Sequence, residues 1–174
     1  MDTRGREERG REELLHRAML DMIEFDCGDA RRIQHFLKVH SLARTIGREE
    51  GLTDPELLAL EAAAIVHDIG IHPAEEKYGR CDGRLQEQEG PAPARALLAR
   101  AGLPETTCER AAWLVGHHHS YAHIEKPDHQ ILVEADFLVN LYEDGAGERA
   151  IRAARERVFR TRTGIALLDA MFGC

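Results

Sequence analysis

Aromatic residues are scarce in this chain: they make up 5% of its 174 residues and include a single tryptophan. Glycine and proline are rare inside the apolar stretches, where alanine and leucine dominate, and this favours helices over a β-sandwich or barrel. No stretch approaches the ~18 uncharged apolar residues of a membrane-spanning helix. The N-terminal segment mixes Arg and Glu and lacks the apolar core of a secretory signal. We therefore expect an all-α cytoplasmic protein without a membrane partner.

Cysteine pairs of the CxxC type are also absent. Cys27, Cys81, Cys108 and Cys174 are isolated in the sequence, which is typical of free thiols in a reducing compartment and argues against a cysteine-based zinc site. The 23 basic and 31 acidic residues give a net charge of −8. This balance argues against a general nucleic-acid binder, and it means that a phosphate ligand needs a local cation.

The hydrophobic periodicity predicts one domain over residues 12–174, preceded by a flexible tail over residues 1–11. A short hydrophobic segment, 165–172, either packs on this domain or exchanges with a partner in a homodimer. We expect six or seven helices forming a compact bundle, over about 12–25, 30–50, 55–69, 91–101, 104–118, 131–143 and 147–162.

Two adjacent polar residues, His67 and Asp68, end the most apolar of these helices, in AAAIVHDIG. Burying an unpaired carboxylate is costly, and a bound divalent metal would remove that cost. His35 and Asp136 also lie on apolar helices. Each alone is more often a structural residue, but four such residues on three apolar helices favour a metal site with imidazole and carboxylate ligands.

Three segments, RIQHFLKVHSLA, AAAIVHDIG and EADFLVN, resemble the HD-domain phosphohydrolase superfamily, whose signature is H…HD…D. Order, separation and local context all match, and the resemblance covers roughly residues 30–142. It implies a compact all-α bundle around a metal. Carried over residue by residue, it implies that His35, His67, Asp68 and Asp136 are the metal ligands.

The activity that this resemblance implies is metal-assisted hydrolysis of a phosphoester in a small metabolite such as a nucleotide. The cation lowers the pKa of a bound water and neutralises charge on the phosphoryl oxygens. Asp68 would also accept a proton from the attacking water. The metal would be Mn, Fe, Co, Ni or Mg, with one ion expected and a second allowed. The alternatives are an oxygenase with a dinuclear iron centre, as in a few superfamily members, and a non-catalytic module that binds a nucleotide or metal.

A run of three histidines, 117–119, bears on the number of metals. Some superfamily branches bind a second ion with additional histidines in this interval, so His117 and His118 are candidate ligands. The alternative is a polar helix end, where cationic imidazole is favoured by the helix dipole. Those branches also have a histidine ahead of the next helix. Here that stretch has none, and Glu89 or Glu87 would have to replace it.

Residues 70–90 are polar, contain four glycines and one proline, and predict a long loop of the kind that often carries function. Many superfamily members have a lysine after His-Asp-Ile-Gly, which is absent here. Lys77, Arg80 and Arg84 would supply the missing cation for a phosphate. His72 would donate a proton near neutral pH.

A basic helix near the C-terminus is the last unusual feature. Its usual interpretation is a solvated face with intramolecular ion pairs, and the alternative is contact with a nucleic acid or a subunit. No aromatic residues alternate with the arginines, so nucleic acid is not favoured. The arginines are Arg149, Arg152, Arg155, Arg157, Arg160 and Arg162.

Overall fold

The computed structural model describes residues 3–173, and these residues form ten α-helices and no β-strand. The all-α fold expected from the sequence is confirmed, although the helices are more numerous than the six or seven predicted. In chain order they are α1 (Thr3–Phe25), α2 (Ala30–Glu49), α3 (Asp54–Val66), α4 (Ile71–Tyr78), α5 (Gly83–Glu89), α6 (Pro91–Arg100), α7 (Glu105–Val115), α8 (Pro127–Glu143), α9 (Glu148–Arg157) and α10 (Arg162–Phe172).

Much of the difference comes from residues 70–90, whose prediction as a long loop is wrong. The segment contains α4 and α5, which bury Ala74 and Leu85. The Asp82 side chain starts α5 by accepting a hydrogen bond from the backbone N–H of Leu85 at 3.3 Å. Gly79 ends α4 with a φ of 69°, a left-handed conformation that favours glycine. Helices of seven or eight residues offer too few positions for an apolar period to be recognised.

The N-terminal segment also differs from expectation. Helix α1 begins at Thr3, so the predicted flexible tail over residues 1–11 is helical from its third residue, and the first two residues lie outside the described part. Arg11 Nη1 donates to Asp54 Oδ1 at 3.3 Å, which ties this helix to the start of α3. Leu15 is buried in the core. The first turns of α1 are polar and show no apolar periodicity in the sequence. The prediction therefore missed them.

The central helix is α3, which packs against α1, α2, α7 and α8. It begins with a capping box in which the backbone N–H and Oγ1 of Thr53 donate to Glu56 Oε2 at 2.9 and 2.6 Å, with Pro55 in the first turn. Leu60 and Ile65 are fully buried. Burial of each such side chain contributes about 1.5–3 kcal/mol, so the helix anchors the core.

One segment, Asp54–Tyr78, is long and apolar enough to cross a membrane by length and composition. However, 78% of its apolar window lies inside the fold, and a turn at residues 67–70 separates α3 from α4. Helices in the core of a folded domain can also be this long and this apolar. The burial of this segment is that of a core helix.

The turn after α3 packs closely against the junction of α5 and α6. A Cβ atom at Gly70 would lie 2.5 Å from the carbonyl oxygen of Gln86 and 2.9 Å from the backbone nitrogen of Gly90. Only glycine permits this approach. The contact fixes the position of the two residues at the end of α3, His67 and Asp68.

The C-terminal hydrophobic segment packs on the chain's own bundle. Helix α10 contacts α2, α8 and α9, and Leu168 is fully buried. Glu50 accepts hydrogen bonds from the backbone N–H and Oγ1 of Thr163 at 2.8 and 2.6 Å. Residues 165–172 thus pack on the bundle of their own chain, and their exchange in a homodimer stays a prediction.

The described cysteines are free thiols, as expected. Cys27 is exposed, Cys81 is partly buried, and Cys108 is buried. The pKa values of the Cys81 and Cys108 thiols are raised, mainly because both groups are removed from water. Cys174 lies outside the described residues.

Candidate metal centre

The candidate metal centre lies where the middle of α2, the end of α3 and the middle of α8 meet. His35 Nε2 lies 3.1 Å from Asp136 Oδ1 and 3.2 Å from His67 Nε2. Asp68 Oδ2 lies 3.5 Å from His35 Nε2 and 3.4 Å from His67 Nε2. The structure thus brings together the four residues that the resemblance to HD phosphohydrolases selects.

Both imidazole rings direct Nε2 toward the centre because Nδ1 is held from outside. His67 Nδ1 lies 3.0 Å from the carbonyl oxygen of Ala64, to which it donates. His35 Nδ1 lies 3.1 Å from Glu143 Oε2. Such outer contacts fix the ring orientation and the tautomer of metal-binding histidines.

Two residues of α8 that support the cluster were missed by sequence reasoning. Glu143 orients His35, and its other oxygen accepts from Lys38 Nζ. Asn140 Nδ2 donates to Asp136 Oδ1 at 2.8 Å. Asn140 and Glu143 follow Asp136 by four and seven residues, so the three share one face of the helix. That spacing was the available signal.

The cluster is electrostatically suited to a positive charge at its centre. Burial disfavours a charged imidazole, but Asp68 and Asp136 outweigh it and raise the pKa of His67 well above its usual value. Burial also opposes charge on His35, yet Asp136 raises its pKa. Burial likewise disfavours ionised carboxylates, but His67 and His118 hold the pKa of Asp68 well below its usual range. The pKa of Asp136 is lowered in the same way by His35 and His67. This donor set fits a bound cation.

His118 extends the donor set from the end of α7. Its ring is fully buried, and Nδ1 lies 2.7 Å from the carbonyl oxygen of Val115. Its Nε2 lies 3.7 Å from Asp68 Oδ1 and has no hydrogen-bond partner among the described residues. An unpaired buried nitrogen is costly, so this atom fits a metal ligand better than a packing residue. Donor atoms of Asp68, His118 and His119 all lie within 4.8 Å of one another, as do those of His35, His67 and Asp68.

His119 was not a predicted ligand, yet it joins this second group. Its Nε2 lies 3.0 Å from Gln86 Oε1, and its Nδ1 lies 3.0 Å from the Tyr121 hydroxyl. Burial, together with the charge of His118, lowers the pKa of His119 to about 4. The sequence predicted a helix over 104–118, whereas in the structure the helix ends before residue 116 and residues 116–119 form a turn.

Two other predicted ligands lie away from the cluster. His117 stacks on Trp113 with ring centroids 4.0 Å apart, and its Nδ1 lies 2.7 Å from the Trp113 carbonyl oxygen. Glu89 Oε1 accepts from Lys77 Nζ at 3.0 Å and from the Tyr78 hydroxyl at 2.9 Å. The short helix α5 turns Glu89 toward α4, so the structure does not bring it to the metal centre.

The alternative carboxylate, Glu87, lies closer to the histidine run. Its Oε1 accepts from the backbone N–H of His119 at 3.1 Å and from Ser120 Oγ at 2.9 Å. It therefore supports the turn that carries His118 and His119.

The three predicted substrate cations lie on α4, α5 and the segment between them. Lys77 is paired with Glu89, and Arg80 Nη1 lies 3.5 Å from Asp82 Oδ2. Arg84 is exposed. The structure therefore places all three outside the cluster of ligands.

His72 lies at the start of α4 and is held by two residues that sequence reasoning missed. Its Nε2 lies 3.2 Å from Asp26 Oδ1, and Arg32 Nη1 lies 3.2 and 3.1 Å from its two ring nitrogens. Arg32 also donates to Glu75 Oε1 at 2.8 Å. Arg32 precedes His35 by three residues, which places both on one face of α2.

Comparison with known proteins agrees with this geometry. The family model of the HD domain matches residues 32–154, and the chain therefore belongs to the HD domain family of metal-dependent hydrolases. No curated protein matches the chain. A crystal structure of a predicted HD superfamily hydrolase from an uncultured Thermotogales bacterium is similar to it, with a TM-score of 0.64 and 22% identity. The match covers 90% of this chain and 83% of that one and shows a shared fold.

Proposed function

We propose that the protein is a metal-dependent phosphohydrolase that cleaves a phosphoester in a small metabolite of the nucleotide type. The observation that carries this proposal is the convergence of four donors from three helices, with Asp68 on the open side. Asp68 exposes 23% of its side chain, against 8% for His35 and 0% for His67. This exposure supports the approach of a substrate phosphate next to Asp68.

His35, His67, Asp68 and Asp136 would hold the metal. A divalent cation supplies Lewis acidity to the phosphoryl group and a water of lowered pKa. Two imidazoles and two carboxylates suit Mn, Fe, Co or Ni better than Mg, which prefers oxygen ligands throughout.

Asp68 is the residue that would accept the proton of the attacking water. The charges of His67 and His118 hold its pKa well below the usual range despite its burial, so the carboxylate is ionised at neutral pH. Its partial exposure lets a water reach it. The pairing of an ionised carboxylate with buried imidazoles keeps this group oriented during the reaction.

His72 is our proposed proton donor to the leaving group. It exposes 41% of its side chain, and Asp26 holds its ring. Arg32 shares the face of α2 that carries His35, contacts His72 and Glu75, and supplies a fixed positive charge beside His72. Of the three predicted substrate cations, Lys77 already pairs with Glu89. Arg80 and Arg84 remain our proposals for contact with the outer part of a substrate.

The test combines metal analysis with a substrate panel on full-length protein purified without a polyhistidine tag. We expect about one Mn, Fe, Co or Ni per chain and hydrolysis of p-nitrophenyl phosphate and of nucleotides. Asp68→Asn should lose activity while it remains folded. Absence of turnover with metal bound, and with nucleotide affinity retained, would favour the non-catalytic binding module.

A dinuclear centre is the second candidate, and the unpaired Nε2 of His118 favours it. Asp68 belongs to both donor groups, so it would contribute to holding either ion. About two iron ions per chain, with oxygen consumption in the presence of a substrate, would support the oxygenase alternative. Two ions with phosphoester hydrolysis and no oxygen consumption would support a dinuclear phosphohydrolase.

A further inference from the structure

A cavity of about 340 Å³ lies between residues 121–124 and the helices α8 and α9. Arg157 and Arg160 lie on its wall, together with Tyr121 and Gln130. Ligand pockets usually measure about 300–1,000 Å³, so this cavity is suited to one part of a ligand rather than a whole nucleotide.

The side chain of Arg160, in the cavity wall, is held by backbone carbonyl groups at the end of α9. Its guanidinium donates to the carbonyl oxygens of Glu156, Arg157 and Phe159 at 3.0, 2.8 and 2.7 Å. These contacts hold the side chain, and because the carbonyls at the end of a helix carry only a partial negative charge, the guanidinium remains a cation. The cavity thus has one pre-oriented cation, which lowers the entropic cost of binding an anion.

Arg157 has a different environment. Its side chain is exposed, and no hydrogen bond or ion pair joins its guanidinium to the side chains that the structure describes. Two other arginines of α9 are already paired, Arg152 with Glu148 and Arg155 with Asp169. Arg157 is therefore a cation available to a ligand in the cavity.

An acidic residue beside this wall, Glu134, is fully buried. It accepts hydrogen bonds from Gln130 Nε2 at 2.7 Å and from the backbone N–H groups of Arg160 and Thr161 at 2.6 and 2.9 Å. These donors occupy its oxygens. Glu134 consequently fixes the segment after α9 in place rather than pairing with Arg157.

Tyr121 connects this cavity to the metal centre. Its hydroxyl lies 3.0 Å from His119 Nδ1, and its ring packs against Phe137 with centroids 5.0 Å apart. Phe137 follows the ligand Asp136 in the chain, and His119 belongs to the second donor group. Tyr121 thus lines the cavity and also contacts a residue of the second donor group, so the cavity lies on the side of the metal centre that carries His119.

We infer that this cavity is a subsite for a second phosphate group of the substrate, with Arg157 and Arg160 as its cations. The inference rests on the proposed function, since the first phosphate is the one cleaved at the metal centre. Arginine forks match phosphate oxygens in a bidentate manner, which favours phosphate over an uncharged group. The substrate class is then a small metabolite with two separate phosphates, which also gives the basic C-terminal helix a role.

The test compares two probes that differ by one phosphate, adenosine 5′-monophosphate and adenosine 3′,5′-bisphosphate. In Arg157→Gln, KM for the bisphosphate should rise about tenfold, the loss expected for one charge-assisted hydrogen bond. The kcat and the KM for the monophosphate should stay within twofold, and Arg157→Lys should restore part of the loss. Arg149→Gln is the matched control, because Arg149 is exposed on the same helix and lies outside the cavity wall.

Calorimetric binding of the bisphosphate to the same full-length proteins separates this inference from the proposed function. Weaker binding in Arg157→Gln but not in Arg149→Gln supports the subsite even if no phosphoester is hydrolysed. Equal affinity of the wild type for the two probes, or an unchanged bisphosphate affinity in Arg157→Gln, overturns it. Arg160→Gln serves as a second variant, with circular dichroism to check that the end of α9 remains folded.

Discussion

His35 Nε2 and Asp136 Oδ1 lie 3.1 Å apart although 101 residues separate them in the chain. The contact exists because α2 and α8 pack against each other and against α3, whose last turn leads into His67. Asp136 faces the imidazoles of His35 and His67, and Asp68 faces these two and that of His118. Removing one side chain therefore leaves charge unbalanced in a buried place. The four residues therefore act as a unit.

The substitution Asp136→Asn tests this four-residue cluster, because it removes a negative charge and leaves the size of the side chain almost unchanged. We expect metal content to fall below about a tenth of the wild-type value, because the imidazoles lose the carboxylate that favours a positive centre. Elemental analysis of untagged protein measures it, and His67→Ala and Asp68→Ala should behave alike. Wild-type metal content in all three variants would refute the assignment.

Glu143→Ala tests the support of His35 from outside the cluster. Loss of the acceptor at Nδ1 frees the ring, and outer partners of this kind typically change metal affinity about 10–100-fold. Competition with a chromogenic chelator measures the affinity. Asp144→Asn is the control, since Asp144 is the next residue, lies 3.7 Å from Arg31 at the surface and does not touch His35. Equal affinities of the two variants would assign Glu143 a purely structural role.

Glu89→Gln and His118→Ala distinguish the two predicted contributors to a second metal. Glu89 is engaged by Lys77 and Tyr78, so its substitution should leave metal content unchanged. His118→Ala should reduce any content above one ion per chain, because its unpaired Nε2 faces Asp68. Elemental analysis gives both values. A loss in Glu89→Gln with none in His118→Ala would reverse the assignment.

The sequence predicted the fold class and the four convergent residues, but less of their surroundings. His35, His67, Asp68 and Asp136 are identifiable because polar residues in apolar helices are rare and their order resembles a known signature. Glu143 and Asp26 are not identifiable in that way. Each is an ordinary acidic residue in a polar stretch, and its role arises from tertiary contacts with His35 and His72.

The histidine run shows why local geometry limits such predictions. The sequence predicted a helix through residue 118, and the choice of His117 and His118 followed from the interval in which the resemblance places additional histidines. In the structure α7 ends at Val115, and the turn directs His118 and His119 inward while His117 stacks on Trp113. Helix ends are set by packing, here by the close approach at Gly116, where a Cβ would lie 3.1 Å from Pro91 Cγ.

Arg32→Gln and Arg84→Ala separate two candidate positions for a phosphate-binding cation. Arg32 lies one turn from His35 and contacts His72, so its loss should raise KM for p-nitrophenyl phosphate about tenfold. The sequence-based prediction is that Arg84→Ala also raises KM. Because Arg84 is exposed on α5, we expect a change below twofold. Steady-state kinetics measures both, and a larger effect at Arg84 would restore the segment 70–90 as the phosphate site.

The contact between Glu50 and Thr163 leads us to a prediction about the free energy of unfolding rather than about activity. Hydrogen bonds from the Thr163 side chain and backbone hold the pKa of Glu50 below its usual value. A carboxyl with a lowered folded-state pKa stabilises the fold above its unfolded-state value of about 4.5, and this contribution disappears as the pH falls through the folded-state pKa. Thr163→Val should therefore lower the free energy of unfolding by about 1 kcal/mol at pH 7 and by clearly less at pH 3. Urea denaturation at the two pH values measures the difference, with the exposed Thr106→Val as control. An equal loss at both pH values would show that the carboxylate charge has no part in joining α10 to α2.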